Sequence, residues 1–246
     1  MKKITRIIAI PVVSIILFTL IMSSCGEPCV DGSGTVRSEV RALTGFTAVT
    51  LLGDFDVYIE QSTTYEVVVQ CDENILPYVV TENLSSGTLE IRHASNRCLD
   101  SSQPIRITIK TPDLFLVENA ASGFIQVNNV YNDQFEVVNS GSGDIDCLNL
   151  DTYDLVVTNS GSGQIYFKGK TINADMLLSG SGKIQAQDMD VNNCKFVLSG
   201  SGTGYVFVID RLNASVPGSG VIYYYGRPSY VETRIDGSGA IIRRDK

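Results

Sequence analysis

Residues 139–145 read NSGSGDI, residues 159–165 read NSGSGQI and residues 178–184 read LSGSGKI. The same small motif returns in seven copies, whose final glycines are Gly123, Gly143, Gly163, Gly182, Gly202, Gly220 and Gly239. The intervals between these glycines are 20, 20, 19, 20, 18 and 19 residues. A fixed period near twenty marks a solenoid, each repeat being one coil stacked on the last.

Columns of like residues hold register on both sides of the motif. Two residues past the glycine stand Ile125, Ile145, Ile165, Ile184, Ile222 and Ile241, with Gly204 as the single break. Four past it stand Val127, Cys147, Phe167, Ala186, Val206 and Tyr224. The residues between are mostly polar, which is the period-two alternation of a strand with one face inward. Upstream of the glycine, Phe135/Val137, Leu155/Val157, Met176/Leu178 and Phe196/Leu198 alternate in the same way. Each coil is therefore expected to hold at least two strands hinged at the Ser-Gly corner. The glycines are expected there for positive φ and for close stacking, and the serines for hydrogen bonds along the corner. A flexible Gly-Ser linker would not keep apolar columns in register across every copy.

These repeats, preceded by FTAVTLLGDFDVYIEQ at residues 46–61, resemble the head GIN-domain family. Its members are Bacteroidetes-type envelope lipoproteins classed as adhesins, and the resemblance spans about residues 36–243. It implies a β-helix similar to the pectin-lyase class, and a role in surface adhesion. The predicted fold is all-β: a single-stranded, right-handed parallel β-helix with about seven regular coils of 18–20 residues, preceded by irregular β coils. Residues 36–246 form this domain, with the Ser-Gly repeats over 121–239.

Residues 1–24 read as an export signal. Lys2, Lys3 and Arg6 precede an apolar run from Ile7 to Met22, and small Ser23 and Ser24 lead to Cys25. The MSSC junction resembles a bacterial lipobox, so Cys25 is expected to carry lipid, with residues 25–35 as a tether. An uncleaved membrane anchor or unlipidated cleavage are the alternatives; the run is short for a spanning helix. The expected address is the bacterial envelope, at the outer membrane.

Beyond Cys25 the chain carries all 27 acidic residues against 16 basic ones, a formal −11. That excludes a nucleic-acid partner, whose phosphates need a basic surface. It also leaves acyl chains rather than charge as the hold on a membrane. Export permits disulfides, and Cys71 with Cys98 is the expected pair, both at strand ends. Five cysteines follow Cys25, so at least one thiol stays free.

Catalytic chemistry finds little support. Asp144 and Asp146 face outward from one coil, but neighbouring coils offer Gln126, Gln164 and Tyr166 rather than further acids. They read as solvated surface acids, not the carboxylate pair of a polysaccharide-active enzyme. The one histidine, His93, ends a strand outside the repeats and reads as exposed. No cysteine spacing suits zinc, and the glycines lead into no helix that would cradle phosphate. No cofactor, metal or catalytic residue is expected.

One outward column does point to a ligand. It reads Gln126, Asp146, Tyr166, Gln185, Tyr205, Tyr223 and Ile242. Tyr166, Gln185, Tyr205 and Tyr223 are the candidate binding residues, since tyrosine rings stack on sugars and amides bond their hydroxyls. Cross-coil packing on a solvated sheet is the plain alternative. The expected partners are a glycan or a host or matrix surface, with self-association through the apolar C-terminal coils. A structural or sensory envelope protein, or a β-helical enzyme, are the rival functions.

Overall fold

The computed structural model describes residues 29–245 apart from Asn96. The expected export signal, the expected lipidation site Cys25 and the first part of the expected tether lie outside the described residues. Ten short strands come first: β1 (Val30–Asp31), β2 (Val36–Arg41), β3 (Ala48–Leu51), β4 (Asp56–Gln61) and β5 (Glu66–Asp72), then β6 (Val79–Asn83), β7 (Thr88–His93), β8 (Leu99–Asp100), β9 (Arg106–Thr111) and β10 (Leu116–Asn119). Five long strands follow: β11 (Phe124–Asn139), β12 (Ile145–Asn159), β13 (Gln164–Leu178), β14 (Lys183–Leu198) and β15 (Thr203–Val216). The chain closes with β16 (Val221–Tyr225), β17 (Tyr230–Ile235) and β18 (Ala240–Arg243). Among the described residues the only helical turn is a 3₁₀ turn over Leu76–Tyr78. No helix there is long and apolar enough to cross a membrane.

The architecture is the predicted parallel solenoid, with about six turns rather than seven. Each long strand is nearly a whole coil, and β11 to β15 pair in parallel order, each with the next. The coil thus differs from the expected pair of strands hinged at the Ser-Gly corner. One strand runs from corner to corner and bends midway. The bend falls at Asn129 and Asn149, both at φ 58°, and at Gly169, φ 141°. Asparagine and glycine are the residues that tolerate this left-handed region.

The Ile column is the core. Ile125, Ile145, Ile165, Ile184 and Ile222 are all fully buried, and the second inward column from Val127 to Val206 is buried beside them. Gly204 breaks the first column because the Phe196 ring occupies the space, 2.3 Å from where a Cβ would stand.

Of the two requirements expected of the corner glycines, the structure bears out close stacking and not positive φ. Their φ is not positive; the left-handed glycines are elsewhere, at Gly34, Gly45, Gly87, Gly169 and Gly226. Closeness is the reason. A Cβ on Gly163 would lie 1.9 Å from the carbonyl oxygen of Gly143 in the coil before. Inside the corner a buried asparagine ladder replaces apolar packing. Asn119, Asn139 and Asn159 each donate through Nδ2 to the carbonyl four residues on, at Gly123, Gly143 and Gly163, over 2.7, 2.7 and 3.0 Å. These bonds help satisfy carbonyls turned into the interior, and the Gly163 carbonyl also accepts the Lys183 backbone amide at 3.1 Å. Later coils place Leu178, Leu198 and Val216 at the equivalent position.

The N-terminal end is closed differently. Strand β5 lies antiparallel to both β2 and β9, and β6 lies antiparallel to β7. The 3₁₀ turn adds buried Ile75 and Leu76. Strand β2 is exposed and carries Arg37, Glu39 and Arg41, charges that blunt an edge against further pairing.

The disulfide corrects the expected pairing. Cys29, not Cys71, is bonded to Cys98, 69 residues away. Cys71 is free and buried, as are Cys147 and Cys194. Burial pushes the Cys71 thiol up to about 11 and the Cys194 thiol to about 12, so both behave as small apolar groups. The tether is accordingly pinned from Cys29 onward. Strand β1 pairs with β8, and Asp72 accepts hydrogen bonds from the Ser101 hydroxyl and from the Ser102 amide and hydroxyl, at 2.9, 2.6 and 2.8 Å. Burial works to raise the Asp72 carboxyl, but the hydrogen bonds outweigh it and hold the group below its ordinary value.

Candidate ligand-binding face

Because pairing is parallel and in register, an outward column in the sequence becomes a file of side chains across the sheet. Tyr58, Gln126, Asp146, Tyr166, Gln185, Tyr205, Tyr223 and Ile242 lie opposite one another, strand by strand. The structure therefore brings together the four candidates Tyr166, Gln185, Tyr205 and Tyr223 on one face. All four are half-buried, not free-standing.

Their polar ends are largely spoken for. The Tyr166 hydroxyl donates to Asp188 Oδ2 at 3.2 Å, and Gln185 Nε2 donates to Gln164 Oε1 at 2.8 Å. The Tyr205 and Tyr223 rings stack with centroids 5.2 Å apart and planes at 19°. The Arg244 guanidinium lies over Tyr223, 3.9 Å from its centroid. Part of the apolar C-terminal surface is thus covered by the basic tail. A shallow hollow of about 160 Å³ remains between Lys183, Gln185, Gln187, Tyr205 and Tyr225.

The acids behave as a local pair. Asp144 Oδ1 accepts the Gln164 amide at 2.7 Å, which anchors it to the next coil. Asp146 is held above its ordinary value by burial and then by the charge of Asp144. Tyr166 is raised by burial and by nearby Asp188. No group of three His, Cys, Asp or Glu side chains among the described residues is placed to hold a metal ion. His93 is less exposed than expected. Its Nε2 meets Asp54 Oδ1 at 2.7 Å, and its ring packs on Phe55 with centroids 4.5 Å apart.

A second feature lies on the sheet that precedes each corner, and sequence reasoning missed it. A groove of about 480 Å³ is lined by Phe115, Gln134, Glu136, Asp154, Val156, Asn173 and Asp175 among others. Phe115 is 47% exposed and Val156 44%. Beside it Tyr153, 56% exposed, links this groove to hollows that also include Asp133 and Tyr131. Its floor is ordered: Asn173 donates to Asp154 Oδ1 at 2.8 Å, and Asn193 to Asn173 Oδ1 at 3.1 Å. Glu136 keeps its carboxylate exposed, whereas Asp175 is paired with Lys195 at 2.8 Å. The signal for it is an outward column aligned through Leu116, Glu136, Val156 and Asp175, upstream of the motif, where only the inward residues had drawn notice.

Residues 45–228 match a family model described as "Putative auto-transporter adhesin, head GIN domain". Among curated proteins, none matches the sequence. A solved structure from Bacteroides fragilis, described as "a putative adhesin", superposes with a TM-score of 0.79 at 21% identity, over 87% of this chain and 100% of that one. A structure from Parabacteroides distasonis, described as a "Putative lipid binding protein", gives 0.73 at 25% identity, covering 87% and 99%. One from Parabacteroides merdae, described as "a putative adhesin", gives 0.65 at 23% identity, covering 89% and 100%.

Proposed function

The chain belongs to the family of auto-transporter adhesins that carry the head GIN domain, and from that membership we propose that it is a non-catalytic adhesion module of the bacterial envelope. In this reading lipid on Cys25 holds it to the outer membrane, and an outward sheet face binds glycans. The observation that carries the glycan reading is the groove beside Phe115. Its volume falls within the range of small-ligand sites, about 300–1,000 Å³. An exposed ring there stands next to the amides of Gln134 and Asn173 and the carboxylates of Glu136 and Asp154. Aromatic faces take the apolar side of a sugar ring, while amides and carboxylates take its hydroxyls. The tyrosine column is the second place such a ligand fits, favoured by the hollow between Gln185 and Tyr205. Its groups are more fully engaged with one another, so the groove is preferred.

A glycan and matrix-protein binding screen tests the reading, using the wild-type chain, Phe115→Ala and Tyr205→Ala. Phe115→Ala should weaken binding about tenfold, the value of one aromatic stack near 1.4 kcal/mol. Tyr205→Ala should change it less than about threefold. The opposite order would move the site to the tyrosine column, and no bound glycan at all would sink the glycan reading.

The anchor is tested separately. Mass spectrometry of the mature N-terminus should show a lipid-modified Cys25 as the first residue. Cys25→Ala should release the protein from the membrane fraction. An unmodified start at another residue would defeat the assignment.

A further inference from the structure

The two ends of the solenoid are unlike. The N-terminal end is closed by antiparallel strands and a 3₁₀ turn. At the other end β17 pairs only with β15, and β18 only with β16, so among the described residues each leaves one edge free. The inward positions of β17 are Val231, Thr233 and Ile235, aligned with Leu212, Ala214 and Val216 one coil earlier. Those three are fully buried, but Val231 is 43% and Ile235 49% exposed. Among the described residues no strand covers these core positions, and they stand open to water.

We propose that this end docks tail to tail on a second copy of the chain, β17 pairing antiparallel with β17 of that copy about a two-fold axis at Thr233. The β17 sequence itself names the occupant. Tyr230, Val231, Glu232, Thr233, Arg234, Ile235 and Asp236 run in order. Reversed about Thr233, Glu232 faces Arg234 of the second copy, Val231 faces Ile235, and Tyr230 faces Asp236. Opposite charges meet on the outer face and apolar residues meet on the inner one. Both kinds of pair stabilise an antiparallel ladder.

Other registers fail on the same residues. A centre at Glu232 sets glutamate against glutamate, and a centre at Arg234 sets arginine against arginine. A shift by one residue turns inward side chains against outward ones. Within one chain Arg234 already holds Asp236 at 2.7 Å, and the Tyr230 hydroxyl donates to Glu232 at 3.2 Å. Pairing would place Arg234 between its own Asp236 and the Glu232 of the second copy. The interface is isologous, as closed two-fold symmetry requires. An axis normal to β17 passes through the core, so the free edge of β18 also meets its own copy.

Sedimentation of the full chain tests the proposal with Glu232→Lys and Arg234→Glu. Wild type should dimerise. Each variant alone should dimerise at least about tenfold more weakly, because two like-charge pairs replace two opposite ones. An equal mixture of the two variants should recover dimer to within about threefold of wild type. In the mixed dimer the introduced lysine faces the introduced glutamate, and the native Arg234 of one copy faces the native Glu232 of the other. Thr233→Cys should form a covalent dimer in air, because a residue on the axis stands about 4.5–5.5 Å from its counterpart, within disulfide reach. A wild type that stays monomeric at about 100 µM would overturn the proposal. So would a dimer that both variants leave unchanged, a mixture that does not recover, or a Thr233→Cys dimer that does not cross-link.

Discussion

Gly163→Ala should lower the melting temperature by about 6–12 °C, from roughly 3 kcal/mol of lost stability in a chain of this size. The residue is buried at the corner, and its added Cβ would stand 1.9 Å from the Gly143 carbonyl oxygen and 2.8 Å from Asn139 Nδ2. The first is backbone of the neighbouring coil, so no side-chain rotation relieves it. Two coils must move apart, and the ladder bonds on both sides lengthen. Backbone strain contributes little, because Gly163 is absent from the positive-φ glycines. Ser162→Ala, on an exposed residue of the same corner, should change stability by no more than about 0.5 kcal/mol. Thermal melts of the two variants decide between close stacking and mere turn propensity. If alanine at 163 melts within a degree of wild type, the coils are not packed as described.

Ile165→Asp should be at least as damaging, costing about 4–6 kcal/mol and leaving little soluble protein. Ile165 is fully buried, aligned with Ile145 on one side and Ile184 on the other. The substitution removes apolar burial worth about 2–5 kcal/mol and leaves a carboxylate with no charge partner in its column. Such a group escapes by taking up a proton or by opening the coil. Gln164→Asp is the control one residue away and facing out. It forfeits the bond from Gln185 and sets a second acid beside Asp144, so about 1 kcal/mol is expected. Chemical denaturation of both proteins checks the difference. Equal midpoints would mean the inward and outward assignments are wrong.

The coils were legible because stacking repeats the same environment every twenty residues. Ile125 to Ile241 share a column for the same physical reason that their corners share Ser and Gly. Features that do not repeat were hidden. Cys29 meets Cys98 through the two-residue pairing of β1 with β8, too short to leave a periodic trace. Cys71, at the end of a proper strand, looked the better partner and lies buried instead. The corner motif was read correctly as a turn, yet its glycines serve the neighbouring coil rather than their own dihedral angles, a distinction no single repeat displays. Asn139 and Asn159 stood in plain view within NSGSG, but their inward direction emerges only once the carbonyls of Gly143 and Gly163 are seen to accept from them. The tyrosine column was legible as an alignment, but the bonds that engage its members were not, because hydrogen bonds between coils are invisible along one strand. The groove escaped for a related reason: Phe115 precedes the repeats and acquires its neighbours only when β10 pairs with β11.

If the chain acts as the adhesion module proposed above, the bond between Cys29 and Cys98 has a mechanical meaning. With the proposed lipid at Cys25, a pull on coils holding the proposed ligand would reach the anchor through a covalent bridge four residues away. Tension passes from Cys29 directly to Cys98, and the strands from β1 to β7 lie off the load path. Those include the antiparallel edges that would otherwise peel one pair at a time. The segment between the two cysteines, 69 residue steps long, would add roughly 23–25 nm of slack if it unravelled. While the bridge is closed that length cannot be paid out, and the proposed module stays on a short leash under load.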